Sequence, residues 1–234
     1  MRTPQHAHAM EDLLKTNIIA FSGGVDSSLA ANIVHQVFPQ SSVACLGISP
    51  SLSKQQLEQA REVARHIGIP LWECYTTESQ NEKYVENKGQ SGEIAAKPII
   101  YNGTNADDQL DPTRLGLVAA AEFEVVSPLS HLTKSEVREV AMYLGLPNWN
   151  YAASPCLRSR LAFGVEAVEG HLKRVESAEY FVRKVVNLEP QSNMRVRFLA
   201  GNRAAIGFDS TELRPFRSGS LSGYNPMIPS HHAS

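Results

Sequence analysis

Hydrophobic positions along the chain switch repeatedly between short unbroken runs and a spacing of three to four residues. Asn17-Ile18-Ile19-Ala20-Phe21 is such a run, and it stops at Ser22-Gly23-Gly24 as a buried parallel strand does where it meets a tight turn. Leu29, Ile33, Val34 and Val37 then recur at three and four residues until Pro39, which predicts a helix. The unit repeats. Ser42 to Ile48 reads as a strand. Ser53 to Gly68 reads as a helix with Leu57, Ala60, Ala64 and Ile67 on one face, opened by a Ser53/Gln56 capping box and stopped by Gly68. Further strands are expected at Pro70 to Tyr75, Pro98 to Tyr101 and Glu124 to Val126. This alternation predicts an α/β fold, an open parallel five-stranded sheet with helices on both faces.

Thr133-Lys134-Ser135-Glu136 is another capping box, opening a helix through Val137, Val140, Ala141 and Leu144 that ends at Gly145-Leu146-Pro147. Beyond that proline the pattern changes. Tyr151 to Gly164 has no period, Glu166 to Asn187 reads as one long amphipathic helix, and Met194 to Phe198 alternates as a strand. A boundary near Trp149 is therefore expected to divide residues 1–149, the α/β unit, from residues 150–220, a smaller α+β unit, with an irregular tail over 221–234. Ser79 to Lys97 is poor in apolar residues and rich in Gln, Asn, Glu, Lys and Gly, so it reads as a loop where a crossover helix is needed.

Composition narrows the classes of function. With 234 residues, 42% of them apolar and 20% charged, the chain can bury one good core, or one larger domain and a smaller partner. Its 22 basic and 24 acidic residues give a net charge of −2, so no electrostatic footprint argues for nucleic acid as an obligatory partner; a small or weakly charged substrate fits better. Cys45, Cys74 and Cys156 are too few for a secreted disulfide framework and too widely spaced for a zinc knuckle. Met1 to Met10 lacks an apolar core of signal-peptide length, and no apolar run reaches the about 18 residues of a membrane span. The expectation is a reducing, cytoplasmic setting without membrane association, and an organelle is compatible with it.

Three segments carry chemistry. Ser22-Gly23-Gly24-Val25-Asp26-Ser27-Ser28 follows a strand and opens a helix, where glycines permit close backbone approach and first-turn N–H groups and hydroxyls meet an anion. It lacks the lysine of a Walker loop, which disfavours simple γ-phosphate hydrolysis. The whole string matches the PP-loop of the ATP pyrophosphatases, which transfer AMP to a substrate oxygen and release pyrophosphate. Asn102-Gly103-Thr104-Asn105-Ala106-Asp107-Asp108 comes at the carboxyl end of the fourth predicted strand, the edge on which open α/β sheets bind ligands. Asp107, Asp108 and Asp111 could hold Mg2+, which asks for few protein oxygens; an Asx turn followed by an N-cap is the competing reading. Ser154-Pro155-Cys156-Leu157-Arg158-Ser159-Arg160 places one thiol in a polar loop beside two arginines, an environment that favours an exposed thiolate. Cys45 and Cys74, within apolar strands, read as small core residues. Arg195 and Arg197 alternate on one strand face, a pair suited to phosphate or carboxylate, with a solvated face as the alternative.

Taken together, Phe21 to Ser28, Ser49-Pro50-Ser51, Asn102 to Asp108, Ser127-Pro128-Leu129 with Lys134 to Arg138, and Pro155 to Arg160 resemble the LarE-type ATP-dependent sacrificial sulfur transferases, a likeness that runs from about Asp12 to Ser220. The resemblance implies that ATP and Mg2+ are used to adenylate a carboxylate of a pyridinium mononucleotide. The activated carboxylate is then captured on a cysteine and released as a thiocarboxylate, leaving dehydroalanine. It implies that Cys156 donates the sulfur, and that Ser159, Arg160, Glu179, Arg195 and Arg197 form the surrounding anion and metal site with Arg217 as its late arginine. It further implies nucleotide contacts from Ser22, Gly23, Gly24, Asp26, Ser27, Ser28, Ser49, Gly103 and Thr104, a small-molecule carboxylate as partner, and a homo-oligomer. Lys88 to Lys97 stands where such proteins carry a Cys-x-x-Cys-Lys-like or aromatic-rich helical motif, and the chain reads as shortened between Ile206 and Gly207. The other readings are an ammonia-dependent ligase of the NAD or GMP synthetase kind, a tRNA thiolase, and an inactive nucleotide-binding paralogue.

Overall fold

Strand β1 (Asn17–Ala20) is flanked on both sides by parallel partners, β2 (Ser42–Ile48) on one side and β4 (Ile99–Tyr101) on the other. The computed structural model describes residues 16–76, 98–110, 120 and 123–208. Adding β3 (Leu71–Tyr75) beside β2 gives a four-stranded parallel sheet of order β3-β2-β1-β4. The expected fifth strand is reduced to one residue: Val126 bridges Tyr101 in parallel, donating to the Ile100 carbonyl at 2.8 Å and accepting from Asn102 N at 3.0 Å. Glu124 just before it is left-handed, with φ of 52°, and Pro128 follows two residues later, so the chain cannot stay extended long enough to pair further.

Chain order and strand order together create a switch point. The chain runs outward from β1 to β2 and β3, then returns to start again on the far side of β1 with β4. The carboxyl ends of β1 and β4 therefore border the crevice in which open parallel sheets take their ligands.

Helices α1 (Val25–Val37), α2 (Lys54–Ile67) and α4 (Lys134–Tyr143) pack on one face of this sheet; the four-residue α3 (Ala106–Gln109) sits at its edge. The core joins Ile19, Ala44 and Leu46 of the strands to Leu29, Ala30 and Val34 of α1, Ala60, Val63 and Ala64 of α2, and Val137 and Ala141 of α4. Both predicted capping boxes form, Ser53 with Gln56 and Thr133 with Glu136, and Gly68 ends α2 in the left-handed region at φ of 83°. Bonds from the Thr133 N–H and hydroxyl hold the Glu136 carboxyl below its ordinary range. The expected inner face of α1 is shifted: Val37 is 63% exposed, while Ser27, Ser28 and Asn32 are buried, because the first half of the helix is covered on several sides by chain segments that converge on its N-terminus. Alternate strand positions, Ile18, Val43, Cys45, Trp72 and Cys74, point to the opposite face. Cys74 is exposed there rather than buried in the core, because β3 is the last strand on its side of the sheet.

Past Leu146 a second, smaller cluster forms. A 3-10 turn (Leu157–Arg160) leads to α5 (Glu169–Val186) and to an antiparallel hairpin of β5 (Met194–Leu199) and β6 (Arg203–Phe208). Leu157, Leu172 and Val175 pack with Leu161 and Phe198, and the His171 ring stacks on Phe198 with centroids 4.5 Å apart. Ile206 and Gly207 are consecutive residues of β6, paired with Val196 and Arg195. The loop-like stretch 79–97, Asp111, Arg217 and the tail 221–234 fall outside the described residues. Among the described residues no helix is long and apolar enough to cross a membrane.

Leu29 is fully buried and Tyr143 is 89% exposed. Leu29→Ala should therefore lower the urea-unfolding free energy by about 2–5 kcal/mol, and Tyr143→Ala should change it by less than about 0.5 kcal/mol. A Leu29→Ala loss no larger than that of Tyr143→Ala would contradict this core.

Candidate functional site

Helix α1 begins without a side-chain cap. Gly24 occupies its N-cap position in extended conformation, and among the described residues no side chain caps the first-turn N–H groups, which an α-helix cannot satisfy internally. Serines tie the turn to itself. Ser22 Oγ meets Ser27 Oγ at 3.1 Å, while the Ser27 and Ser28 hydroxyls donate to the Gly24 carbonyl at 3.0 and 2.8 Å. Asn148, fully buried after α4, donates from Nδ2 to the Gly23 carbonyl at 2.8 Å and to Ser28 Oγ at 3.0 Å; Gln59 of α2 donates to the same carbonyl at 3.1 Å. The turn is held from behind, so its N–H groups are left for a ligand in front.

Two glycines fit where no larger residue can. Gly23 has φ of 74°, and a Cβ added there would lie 2.7 Å from Ala60 Cα. At Gly103, in the segment after β4, a Cβ would lie 2.6 Å from Ser27 N and 2.7 Å from the Asp26 carbonyl carbon. The Asn102–Asp108 string thus lies directly against the first turn of α1. Asn105, almost fully buried, donates to Asp26 Oδ1 at 3.0 Å and caps α3, and the other Asp26 oxygen pairs with Lys134 Nζ.

The cysteine loop is docked onto the β2–α2 connection. Leu157 N donates to the Ser51 carbonyl at 2.8 Å, Gln56 Nε2 to the Ser154 carbonyl, and Lys54 N to Glu176 of α5 at 2.6 Å. Cys156 is exposed at the head of the 3-10 turn. A cavity of about 710 Å³ joins it to Ser22, Gly24, Val25 and Asp26 of the turn, Asp107 and Asp108 of α3, Lys134 and Arg138 of α4, and Arg195 of β5. The Nε atoms of Arg138 and Arg195 are buried with no hydrogen-bond partner among the described residues. Buried guanidinium N–H groups left unpaired are costly, and an anion in this cavity would satisfy them.

Other residues named from the sequence lie elsewhere. Arg160 is 4% exposed and turns away from the thiol. It pairs with Glu179 at 3.1 Å and donates to the carbonyls of Pro155 and Cys156, while Glu179 also accepts from Val196 N at 3.0 Å. The pair thereby pins the cysteine loop to α5 and β5, and borders a cleft of about 300 Å³ between α2 and α5. Ser159 Oγ donates to the Cys156 carbonyl at 2.8 Å. Arg197 is exposed and does not line the cavity of Cys156. Ser49 caps the turn before α2, and Thr104 N bonds its neighbour Asn102. Asp107 and Asp108 serve as caps, Asp107 accepting from Lys134 N at 2.9 Å and Asp108 closing the Asn105 box. Among the described residues no three His, Cys, Asp or Glu converge as a metal cage. Sequence reasoning gave no site role to Asn148, Asn105, Lys134 or Arg138. The last two entered only within the Lys134 to Arg138 segment of the family likeness, four residues apart on a helix that follows Ser127-Pro128-Leu129.

A serine- and glycine-rich turn without a Walker lysine, set between the first strand and first helix of an open parallel sheet, is the pattern of the PP-loop enzymes, which cleave ATP to AMP and pyrophosphate. Sequence comparison agrees. The NAD synthase family model matches residues 8–97. The uncharacterised Synechocystis sp. protein slr1717 is 37% identical over 185 residues, which cover 72% of this chain and 69% of that one. The pyridinium-3,5-bisthiocarboxylic acid mononucleotide synthase of Lactiplantibacillus plantarum is 28% identical over 76% of this chain and 70% of its own. A component of the glutamine-hydrolysing GMP synthase of Methanopyrus kandleri is 30% identical over 56% of this chain and 50% of its own. The chain belongs to the PP-loop ATP pyrophosphatase superfamily and is similar to its LarE-type members.

Glu179→Ala leaves the Arg160 guanidinium buried without its counter-charge and should destabilise by about 3–5 kcal/mol. Arg160→Met in the same chain should return part of that loss, and a double variant less stable than Glu179→Ala would show that the pair is not the anchor. Gly103→Ala forces its neighbours apart and should cost about 1–3 kcal/mol while weakening ATP binding in calorimetry.

Proposed function

We propose that the protein is an ATP-dependent sulfur transferase that adenylates a small-molecule carboxylate, of the pyridinium mononucleotide kind, and supplies the sulfur from Cys156. One observation carries this reading: the only thiol on the described wall of the cavity shares it with the N-terminus of α1 and with two guanidinium nitrogens, neither capped nor paired by any described side chain. A triphosphate on the first turn of α1 presents its α-phosphorus to the cavity, and a substrate carboxylate oxygen attacks it as pyrophosphate leaves. Lys134, Arg138 and Arg195, which line the cavity, would offset the charge on the phosphates. A magnesium ion travelling with the nucleotide would be held by Asp107 and Asp108, hard carboxylate donors that suit an ion otherwise ligated by phosphate and water, and it would supply further charge neutralisation.

The acyl adenylate then meets Cys156. Its thiolate attacks the carbonyl carbon, AMP departs with the bonding pair, and a thioester forms. Loss of the Cα proton of residue 156 with cleavage of its Cβ–Sγ bond releases the thiocarboxylate and leaves dehydroalanine. Likeness to the L. plantarum synthase supports this ending, since that protein is named for a bisthiocarboxylic acid mononucleotide.

A second reading follows from likeness to GMP synthase and from the NAD synthase family model: ammonia, not a thiolate, would displace AMP. Cys156→Ala separates the two. Under the sulfur-transfer reading it still exchanges labelled pyrophosphate into ATP when the carboxylate is present, yet forms no thiocarboxylate, and the wild-type residue 156 emerges from turnover about 34 Da lighter by peptide mass spectrometry. Full product formation by Cys156→Ala, or an unaltered Cys156 after a complete turnover, would eliminate it.

A further inference from the structure

The other two cysteines meet. Cys45 Sγ and Cys74 Sγ lie 3.2 Å apart, on neighbouring parallel strands and 29 residues distant in sequence. In the β2–β3 register Cys45 stands opposite Trp72 and Cys74 opposite Gly47, so the two thiols are diagonal neighbours on one sheet face. Gly47 has no side chain to occupy the place directly across from Cys74, which leaves its thiol to lean toward Cys45. The face is the one opposite α1 and α2, and neither sulfur borders the cavity of Cys156. Cys74 is exposed and Cys45 half-buried.

We propose that Cys45 and Cys74 form a reversible dithiol–disulfide couple, a redox modification site separate from the Cys156 loop, whose partners are small thiols and disulfides of the glutathione class. Sulfurs in a disulfide lie about 2.05 Å apart and its Cα atoms at most about 7 Å, so closure asks the two thiols, already in contact, to approach by roughly one ångström and the exposed end of β3 to draw slightly toward β2. The steps balance with glutathione disulfide as oxidant. The Cys74 thiolate attacks one of its sulfurs, the S–S bond breaks, one glutathione thiolate leaves, and a mixed disulfide remains on Cys74. Cys45 gives up its proton, its thiolate attacks Cys74 Sγ, and the second glutathione departs; two protein S–H bonds have become one S–S bond, and one glutathione disulfide has become two thiols. Burial, with the neighbouring Cys74 sulfur, pushes the Cys45 thiol up to about 11. That fits the resolving position for Cys45, while the exposed Cys74 meets the oxidant. A pair of this kind, with one exposed thiol on an edge strand, belongs to the labile, reducible class of disulfides.

The test uses the full chain as wild type, Cys156→Ser and Cys45→Ser. Each is equilibrated at graded ratios of reduced to oxidised glutathione, quenched in acid, alkylated and mapped by mass. The expected result is that Cys45 and Cys74 leave the alkylatable pool together as the ratio falls. The chain becomes lighter by two hydrogens in wild type and Cys156→Ser alike, and Cys45→Ser stops at a glutathione adduct on Cys74. Two thiols that stay alkylatable at the most oxidising ratio would overturn the proposal. So would a stable Cys74 adduct beside an untouched Cys45 in wild type, or a disulfide that recruits Cys156.

Discussion

The turn that follows β1 is wedged between two neighbours, with less room than one carbon atom on either side. Ala60 of α2 closes on Gly23 from one flank, and Gly103 of the segment after β4 closes on Ser27 and Asp26 from the other. Overlaps of this size cannot be relieved by rotating a side chain, because the atoms met are largely backbone. Three segments distant in sequence must therefore settle at once: α2 against its strand, β4 beside β1, and Asn148 beneath the Gly23 carbonyl. The reward is an α-helix N-terminus whose N–H groups are aimed outward and whose loop cannot collapse over them. Burial of Ser27, Ser28 and Asn32 in an otherwise apolar core follows from the same convergence, since polar side chains are needed there to satisfy the turn.

Charge is divided between two arginines with opposite fates. Arg160 is buried and paired, its Nε donating to Glu179 and its Nη1 to two carbonyls of its own loop. Such a pair gives little net stability against apolar replacements, yet losing one partner strands the other, so its service is to fix the path of the loop that carries Cys156. Arg195 also has a buried Nε, but no partner meets it among the described residues, and it opens on the cavity. Under the proposed function, the second is the one that would meet an anion. The sequence pattern alone could not separate these roles, because Arg158, Arg160, Arg195 and Arg197 all sit in polar surroundings on paper. Glu179 is 19 residues from Arg160 on a different element, and only the packing of α5 brings them together.

Much of the fold was legible for a physical reason: β1 and β2 are short apolar runs, α2 and α4 carry strong periodicity and complete caps, and each forms within a residue or two of its expected limits. The PP-loop string was legible as well, since its glycines and hydroxyls answer a local need of the backbone. What escaped was tertiary or marginal. Strand β6 has weak alternation, although Gly201 and Asn202, both left-handed at its start, are a hairpin signal present in the sequence. Asp107 and Asp108 read as metal ligands or as caps, with the metal role favoured beside the PP-loop string, and in the fold they cap. Cys74 looked like a core residue because its strand is apolar, but composition does not say which strand ends a sheet or which face is covered. Asn148, between Pro147 and Trp149, carried no local clue that it would be fully buried under the turn after β1.

Helix α2 connects the two chemistries that the proposed reaction requires. Its middle, at Ala60 and Gln59, braces the turn that would grip ATP; its start, at Ser53, Lys54 and Gln56, receives Glu176 and the Ser154 carbonyl and thereby seats the loop of Cys156. A capped helix is stiff over this length, so the distance between phosphate cradle and thiol is set by one rigid body rather than by two loops meeting through solvent. For a nucleophile that must wait until an adenylate forms and then strike its carbonyl carbon, that is the arrangement physical chemistry favours: displacement from the reactive geometry by even an ångström erodes the advantage of holding both partners together. The negative end of Glu176 at the α2 N-terminus adds a favourable charge–dipole contact at the joint. On this view the smaller cluster is bound to the sheet where the reaction needs it least able to drift, and the freedom left to Cys156 is confined to the first residues of its own 3-10 turn.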